Sequence, residues 1–505
     1  MVKRAGGALL QSITIDRTSS RAIGAQLSSA LRDLILGGAL KAGERLPATR
    51  TLANDLGIAR ATVIDTFEQL TSEGLLQSRT GAGTFVSQAL SMERPIGPVG
   101  DARVTTVKQV HVARLMSAAT SRFVHRLPHL PRAFTTAMPA FDAFPMAQWA
   151  RIAAKHWRSP RYGVLGYGEV QGYRPLRQAI AAHLRANRGI ACDWQQIFVV
   201  AGAQQAFQMV ASTLIDPGDR IWFENPGAMG ARNSFILYGA ELVPVPVDGD
   251  GLVVARGLEL APAFRAAFVT PSHQQPLGSK MSLERRFALL QAATAASAWI
   301  VEDDWDGEFC FVGRPLPTLK GIDSTGRVIY VGTFSKSLFP SLRLGFLLAP
   351  PALVPMFETA LEAFSPGVPT SLQAIVSDFI DEGLFATHIR RMRKLYAEKY
   401  QILFDAGRQQ LSDWLDIQPT STGLHTIGLL RGGLVGAEVS AAAAARGLTV
   451  APISRFCITP VDVEGLVLGF SGVSPRQITS GVAALAEVLA ECAARGAPVR
   501  RRARA

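Results

Sequence analysis

The stretch VGTFSKSLFPSLRLGF, residues 331–346, constrains the fold of this 505-residue chain more than any other. It places Lys336 just after a short apolar strand, beside the hydroxyls of Thr333 and Ser335, and Arg343 follows seven residues later. A desolvated lysine amine attacks aldehydes to form a Schiff base, and an arginine clamps a phosphate with two parallel hydrogen bonds. Pyridoxal 5'-phosphate carries both groups. A solvated loop lysine is the alternative interpretation.

The first part of the chain shows the pattern of a winged helix-turn-helix. Apolar residues recur at helical spacing over residues 21–36, and a second and a third helix follow on either side of a glycine turn. The third helix begins near Arg60 and Thr62, where helices of this kind meet bases and phosphates. Two short strands then flank Gly81 and Gly83, as in a wing. The alternative is a small helical cap with no role at DNA.

From about Phe134 onward, apolar strands alternate with amphipathic helices, which indicates a sheet covered by helices. A glycine turn at Gly202, followed by Ala203 and Gln204, opens a helix whose N-terminus suits a phosphate. The acidic run 302–304 ends an apolar strand, where side chains of α/β folds often form a site. Spacing does not decide which acid would act, and a solvated acidic loop is the alternative.

Together these landmarks resemble MocR-like regulators of the GntR family, which join a winged helix-turn-helix to a fold-type I aminotransferase-like domain. The likeness rests on LPATRTLANDLGIARATVIDTFEQLTSEGLLQSRTGAGTFV and on the lysine segment, and it covers nearly all of residues 20–475. It implies an α/β protein with a large mixed-sheet part and a small C-terminal α/β part. The implied boundaries are 15–88 for the winged helix, 89–133 for a linker, 134–490 for the PLP-binding domain with its small part at about 412–490, and 491–505 for a basic, disordered tail.

The resemblance also assigns roles by position. Lys336 would hold pyridoxal 5'-phosphate as a Schiff base, Asp303 rather than Asp304 would pair with the pyridine nitrogen, and Arg343 would bind the phosphate. The other implied cofactor contacts are Trp305, Tyr167, Gly202, Ala203, Gln204, Ser335 and Thr333. Tyr167 would reach the cofactor phosphate of the partner in a head-to-tail homodimer. The implied DNA contacts are Arg50, Arg60, Thr62, Gly81 and Gly83.

Four positions depart from the family's usual pattern. Trp305 stands where relatives commonly have a tyrosine, and an indole N–H can donate a hydrogen bond but cannot accept one. Ala228 and Gln275 replace aromatic residues. Leu466 stands about where aminotransferases hold the substrate carboxylate with an arginine. We therefore expect cofactor capture without efficient turnover.

These patterns predict a PLP-dependent transcription regulator that binds a double-stranded DNA operator. Its effector would be an amine or amino acid, sensed through aldimine exchange at Lys336, and Arg232 and Arg455 are candidates for holding an acidic effector. A working aminotransferase fused to a DNA-binding domain is one alternative, and a regulator that senses pyridoxal phosphate itself is another.

Composition agrees with this prediction. The net charge of +12 suits a polyanionic partner. No uncharged apolar run reaches the length of a membrane span, and the four cysteines show no paired spacing, which is typical of reduced thiols in a cytoplasm. We predict a cytoplasmic homodimer with no metal site and no membrane contact.

Overall fold

The computed structural model describes residues 13–91, 111–125, 130–158, 161–364 and 367–496. The chain divides into two compact units, Met1–His111 and Val112–Ala505. Part of the predicted linker, 92–110 and 126–129, lies outside the described residues, as does the tail from residue 497. Among the helices within these ranges, none is both long enough and apolar enough to span a bilayer.

The first unit is a three-helix domain with a β-hairpin, which confirms the predicted winged helix-turn-helix. Its elements are α1 (Ile23–Leu36), α2 (Thr49–Leu56), α3 (Arg60–Ser72), β1 (Leu76–Arg79) and β2 (Gly83–Val86). Gly57 ends α2 in the left-handed conformation, at φ 63°, which turns the chain tightly into α3. Apolar residues at helical spacing, Leu27, Leu31, Val63 and Phe67 among them, form its core.

The second unit is organised around an eight-stranded mixed sheet. Its strands are β3 (Ile197–Val200), β4 (Arg220–Asn225), β5 (Glu241–Asp248), β6 (Gly251–Leu252), β7 (Ala266–Val269), β8 (Trp299–Asp304), β9 (Val328–Thr333) and β10 (Gly345–Leu348). Their order is β3-β10-β9-β8-β7-β4-β5-β6. The run from β9 to β5 is parallel, whereas β10 is antiparallel to both of its neighbours.

Helices cover both faces of this sheet, so strands such as β3, β7 and β10 are buried at every residue. One face packs on the helices of residues 203–214, 229–237 and 354–364. The other face packs on the helices of residues 174–188, 370–381 and 384–410 around β3, β9 and β10, and on those of residues 254–260 and 283–295 around β4, β5, β7 and β8. In chain order the helices are α4 (Arg114–Thr120), α5 (Met146–Trp157), α6 (Tyr162–Leu165), α7 (Arg174–Arg188), α8 (Ala203–Leu214), α9 (Met229–Leu237), α10 (Val254–Leu260), α11 (Leu283–Ala295), α12 (Leu319–Ile322), α13 (Phe334–Ser337), α14 (Val354–Phe364), α15 (Thr370–Asp381) and α16 (Leu384–Gln410).

The small part follows the long helix α16. Its elements are β11 (Leu415–Ile417), β12 (His425–Leu430), α17 (Gly436–Ala445), β13 (Ala451–Pro452), β14 (Gly465–Gly469) and α18 (Pro475–Gly496). The four strands form an antiparallel sheet in the order β11-β12-β14-β13, and α17 and α18 pack against one another beside it. Helix α18 therefore continues into the first residues of the predicted tail.

The end of the predicted linker is part of the second unit. Helix α4 buries Ala119. Beyond it, the Asn233 amide accepts a hydrogen bond from the N–H of Val124 at 3.1 Å and donates one to its carbonyl at 2.8 Å. A short helix with one buried residue gives little apolar periodicity, which is why the sequence showed only a linker here.

Candidate functional site

Strand register brings distant segments together at one edge of the main sheet. Gly345, the first residue of β10, pairs with Val200 at the end of β3 and with Thr333 at the end of β9. Residues just before β10 therefore lie beside residues that follow β3 and β9. Asp303 of β8 pairs with Val331 of β9, at the same edge. The segments 201–204, 303–305 and 333–343 meet at a cleft where open α/β sheets bind ligands.

Lys336 lies in this cleft, in the short helix α13 that follows β9. Thr333 caps that helix, because its Oγ1 accepts a hydrogen bond from the N–H of Ser335 at 3.1 Å. The half-buried Lys336 Nζ donates to the carbonyl of Ala137 at 2.9 Å. The amine is therefore held beside Ala137, which also lines the cleft.

One end of the cleft has the features of an anion site. Gly202 is the N-cap of α8 at φ 84°, a conformation that L side chains rarely adopt. The Arg343 Nη2 donates to the carbonyl of Ala201 at 3.1 Å, and a Cβ on Gly202 would lie 3.9 Å from this guanidinium. A positive helix end and an arginine therefore converge. The side chain of Gln204 donates to the carbonyl of Gly230 at 3.1 Å, which fixes α8 to α9.

The two adjacent acids at the end of β8 point in opposite directions, as successive residues of a strand must. Asp303 lines the cleft, whereas Asp304 is bound by the guanidinium of Arg188 and the hydroxyl of Tyr330. Burial, and then the charges of Asp304 and Asp306, raise the pKa of Asp303 well above its ordinary value. The direction of the side chains therefore distinguishes Asp303 from Asp304, which their spacing in the sequence could not do.

The cleft fits pyridoxal phosphate on one specific observation. Asp303 is 5% exposed, and its Oδ1 has no hydrogen-bond partner among the described residues. A protonated pyridine nitrogen would supply both a donor and the positive charge that stabilises this carboxylate. Lys336 lines the same cleft, and Arg343 lies at its anion end.

Trp305 forms part of the cleft wall but directs its N–H away from it. Its Nε1 donates to the carbonyl of His273 at 3.0 Å, and its ring stacks on those of His273 and His425 at 5.4 and 5.6 Å. The indole N–H is therefore already used and cannot replace a tyrosine hydroxyl at the cleft. Burial lowers the pKa of His273 to about 3 and that of His425 to about 4, so both rings are neutral at pH 7.

This ring cluster joins the large part to the small part, and sequence reasoning missed it. His273 Nδ1 lies 2.8 Å from Asp306 Oδ2, and His425 Nε2 lies 2.9 Å from the carbonyl oxygen of Pro276. Gly423, at φ 85°, passes so close that a Cβ there would lie 2.1 Å from the His273 ring. The available signals were a histidine after β7 and an acid three residues beyond Asp303.

The small-part strand β14 corrects one expectation. Leu466 packs in the main core, whereas Val467 packs with Ala451 and Phe456, both of which line the cleft. Side chains alternate along a strand, so Val467, and not Leu466, lies on the side of β14 that packs against these two cleft-lining residues.

Three residues predicted for the cofactor or effector site are not among the described residues that line the cleft. Tyr167 is 92% exposed in the segment between α6 and α7. Arg232 donates from Nη1 to the carbonyl of Cys457 at 2.8 Å, and Arg455 donates to that of His125. Neither arginine is among the described residues that line the cleft.

The DNA-contact candidates lie on one small domain. Arg50 and Arg60 are exposed, and Arg60 Nε donates to Thr49 Oγ1 at 3.4 Å, so the starts of α2 and α3 are adjacent. Thr62 is half-buried. The wing glycines Gly81 and Gly83 are exposed, at φ 75° and 108°.

Comparisons with known proteins divide the chain at the same place. Residues 24–86 match the family "Bacterial regulatory proteins, gntR family", and residues 141–456 match "Aminotransferase class I and II". The chain is 40% identical to the "Probable rhizopine catabolism regulatory protein MocR" of Rhizobium meliloti, over 94% of this chain and 95% of that protein. It is 30% identical to the "HTH-type pyridoxine biosynthesis transcriptional regulator PdxR" of Corynebacterium glutamicum, over 91% and 94%.

A solved structure extends the likeness to the aminotransferase-like fold. The multiple substrate aminotransferase of Thermococcus profundus superposes with a TM-score of 0.68 at 27% identity, covering 76% of this chain and 96% of that one. Its fold thus matches the part of the chain that contains the cleft.

Proposed function

Because this chain belongs to the MocR-like group of GntR-family regulators, we propose that its aminotransferase-like domain senses an amine or amino-acid effector and reports it to the winged helix. The chain is a PLP-dependent, DNA-binding transcription regulator.

The observation that carries the proposal is that Asp303, at the end of β8, lines the same cleft as Lys336 and Arg343, which come from the segment after β9. Pyridoxal phosphate supplies an aldehyde that primary amines capture reversibly. Lys336 would hold it at that aldehyde, and Asp303 would face its ring nitrogen. Arg343, the N-terminus of α8 and the hydroxyls of Thr333 and Ser335 would hold its phosphate. An effector amine would displace the Lys336 amine.

A sensor suits this cleft better than an enzyme does. The Trp305 N–H is bonded to a backbone carbonyl, so it has no proton to offer at the cleft. Val467, on the side of β14 that packs against the cleft-lining Ala451 and Phe456, is buried and uncharged, so it offers no clamp for a substrate carboxylate. We expect bound amine to persist, with Lys336 released from its cofactor role. An effector alters DNA binding only if it binds two conformations of the protein unequally. We propose that these conformations differ in how far the small part closes over the cleft.

At DNA, we propose that Arg50, Arg60 and Thr62 contact the operator from the helices. Gly81 and Gly83 would let the wing backbone approach a phosphate. The protein would act as a homodimer on two half-sites, with Tyr167 of each subunit reaching the other's cofactor. The exposure of Tyr167 supports that role. A regulator acts where its operator is, so we expect it in the cytoplasm.

The test is a Lys336→Ala variant of the full chain. It should lose the yellow colour of the bound cofactor and any amine-dependent change in DNA affinity, while basal DNA binding persists. Lys394→Ala is the matched control, because Lys394 is exposed on α16 and does not line the cleft. An amine response that survives in Lys336→Ala would reject the proposed role of this lysine.

The runner-up is a working aminotransferase fused to a DNA-binding domain. It draws support from the cofactor residues themselves and from 29% identity to an aromatic-amino-acid aminotransferase of Thermococcus litoralis, over 70% of this chain. Sustained conversion of amino and keto acid pairs at about 1 per second or faster would favour it. Sensing of pyridoxal phosphate itself would instead appear as a DNA response to cofactor alone, with no further effect of amines.

A further inference from the structure

The end of the linker is fastened to both parts of the second unit. The buried side chain of Asn233, on α9 of the large part, accepts a hydrogen bond from the N–H of Val124 at 3.1 Å and donates one to its carbonyl at 2.8 Å. Arg455, which lies between β13 and β14 of the small part, donates from Nη2 to the carbonyl of His125. Two successive residues are therefore tied to different parts of the fold.

The chain then runs along the small part into the cleft. Within residues 130–138, the carbonyl of Phe134 accepts a hydrogen bond from the N–H of Gly469, the last residue of β14, at 3.0 Å. Three residues later, the carbonyl of Ala137 accepts one from Lys336 Nζ at 2.9 Å. One short segment thus contacts both the small part and the lysine that would hold the cofactor.

The backbone of this segment is strained. Phe134 and Ala137 have φ 69° and 61°, in the left-handed region that residues with a side chain seldom adopt. Such a conformation persists only where surrounding contacts hold it. One of these contacts is the hydroxyl of Thr135, which donates to the carbonyl of Leu130 at 2.8 Å and closes the preceding turn. The position of the Ala137 carbonyl therefore depends on contacts along the whole segment.

We call residues 124–125 and 130–138 the strap. While Lys336 holds the cofactor, its nitrogen is bonded to the cofactor's aldehyde carbon. When another amine captures that carbon, the new carbon–nitrogen bond forms as the bond to Lys336 breaks, and the lysine nitrogen takes up the protons that the incoming amine loses. The freed amine can then donate to the carbonyl of Ala137, which is the hydrogen bond seen in this structure.

We propose that this hydrogen bond is the signal: the freed Lys336 fixes the strap at Ala137, and the positioning residues Asn233 and Arg455 carry the change to the linker. This inference rests on the proposed amine-sensing function and names the path by which the cleft acts on the DNA-binding unit. A hydrogen bond that exists in one state alone shifts two conformations by no more than its own strength. The DNA affinity should therefore change by about 2- to 10-fold.

The test frees Lys336 without an effector. O-Methylhydroxylamine is added to the full-length, cofactor-loaded protein, where its nitrogen captures the aldehyde and releases the lysine. The visible absorbance measures this release, and the affinity for a DNA duplex selected from a random pool measures the response. Release should change that affinity by about 2- to 10-fold. Lys336→Ala has no lysine to release, so the same addition should leave its DNA affinity unchanged.

Two variants interrupt the strap. Asn233→Ala removes both hydrogen bonds to Val124, and Thr135→Val removes the one to the carbonyl of Leu130. Each should release Lys336 as the unaltered protein does, as judged by absorbance, while the change in DNA affinity shrinks towards none. Asn187→Ala, at an exposed asparagine of α7, is the matched control and should keep the full change.

The outcomes separate the two proposals. If release leaves the DNA affinity of the unaltered protein unchanged, the strap inference falls and amine sensing through closure of the small part stands. A full change in both strap variants, or an equal loss in Asn187→Ala, also overturns the inference. If the absorbance does not respond, Lys336 does not hold the cofactor and both proposals fall.

Discussion

Gly423 offers the sharpest test of how the cleft is joined to the small part. It is buried at φ 85°, and a Cβ there would lie 2.1 Å from His273 Cε1 and 2.8 Å from Asp306 Oδ2. Gly423→Ala should therefore pay about 1 kcal/mol for the left-handed backbone. Overpacking should cost a further loss of about 1–3 kcal/mol. We expect a total loss of about 2–4 kcal/mol, and more if the buried His273–Asp306 hydrogen bond breaks.

Gly432→Ala is the matched control. Gly432 also belongs to the small part and has φ 67°, but a Cβ there would meet no atom within 4 Å. It should lose only the backbone contribution, about 1 kcal/mol. Urea unfolding followed by tryptophan fluorescence measures both variants in the cofactor-loaded protein. The difference between them isolates the collision with the ring cluster.

A double variant identifies the collision partner. His273→Ala removes the ring that the new methyl group would strike, so the added cost of Gly423→Ala should shrink by more than 1 kcal/mol in that background. Because Trp305 donates to the His273 backbone and stacks on its ring, Gly423→Ala should also weaken cofactor binding. Equal losses for Gly423→Ala and Gly432→Ala would refute the packing argument.

Three further predictions concern single groups. Asp303→Asn should weaken cofactor binding by at least about tenfold and leave the fold intact. Asp304→Asn should instead cost about 3–5 kcal/mol of stability, because it leaves the buried Arg188 cation unpaired. Cofactor titration measures the first effect, and urea unfolding measures the second. Arg60→Ala should weaken operator binding by about 1–3 kcal/mol if Arg60 contacts a base, or lower the slope of log affinity against log salt by about one if it contacts a phosphate. Arg32→Ala, which removes a surface ion pair with Glu73, should do neither. Unchanged binding and salt dependence in Arg60→Ala would exclude Arg60 from the DNA interface. Burial raises the pKa of Glu224 from 4.5 to about 7, so the folded protein retains a proton that the unfolded chain releases. The contribution of Glu224 to stability therefore falls as pH rises from about 4.5 to 7. In unfolding measured from pH 5 to 8, Glu224→Gln should reduce that fall by up to about 3 kcal/mol.

The sequence predicted best what lies within one continuous segment. Lys336, Thr333, Ser335 and Arg343 are close in the chain, so their pattern was visible without knowledge of the fold. The choice between Asp303 and Asp304 needed the direction of each side chain along β8, and the residue of β14 on the cleft side needed its exact register. An error of one residue in a strand moves a side chain to the opposite face.

Sequence patterns did not predict the contacts between residues that are far apart in the chain. His273, Asp306 and Gly423 lie far apart in the chain and meet only because β7, β8 and the small part are folded together. Neither His273 nor His425 belongs to a recognisable motif, and a single glycine in a sequence does not indicate why the fold requires it. Helix α4 was missed for a different cause, since its one buried residue gives no periodic signal.

We propose that the cleft and the DNA-binding unit are energetically coupled, and thermodynamic linkage tests this coupling. A DNA duplex selected from a random pool is added at saturation to cofactor-loaded protein, and a primary amine that alters DNA binding is titrated while the visible absorbance is followed. We expect DNA to change the affinity for the amine by the same factor by which the amine changes the affinity for DNA. An amine affinity that is identical with and without the duplex would contradict it.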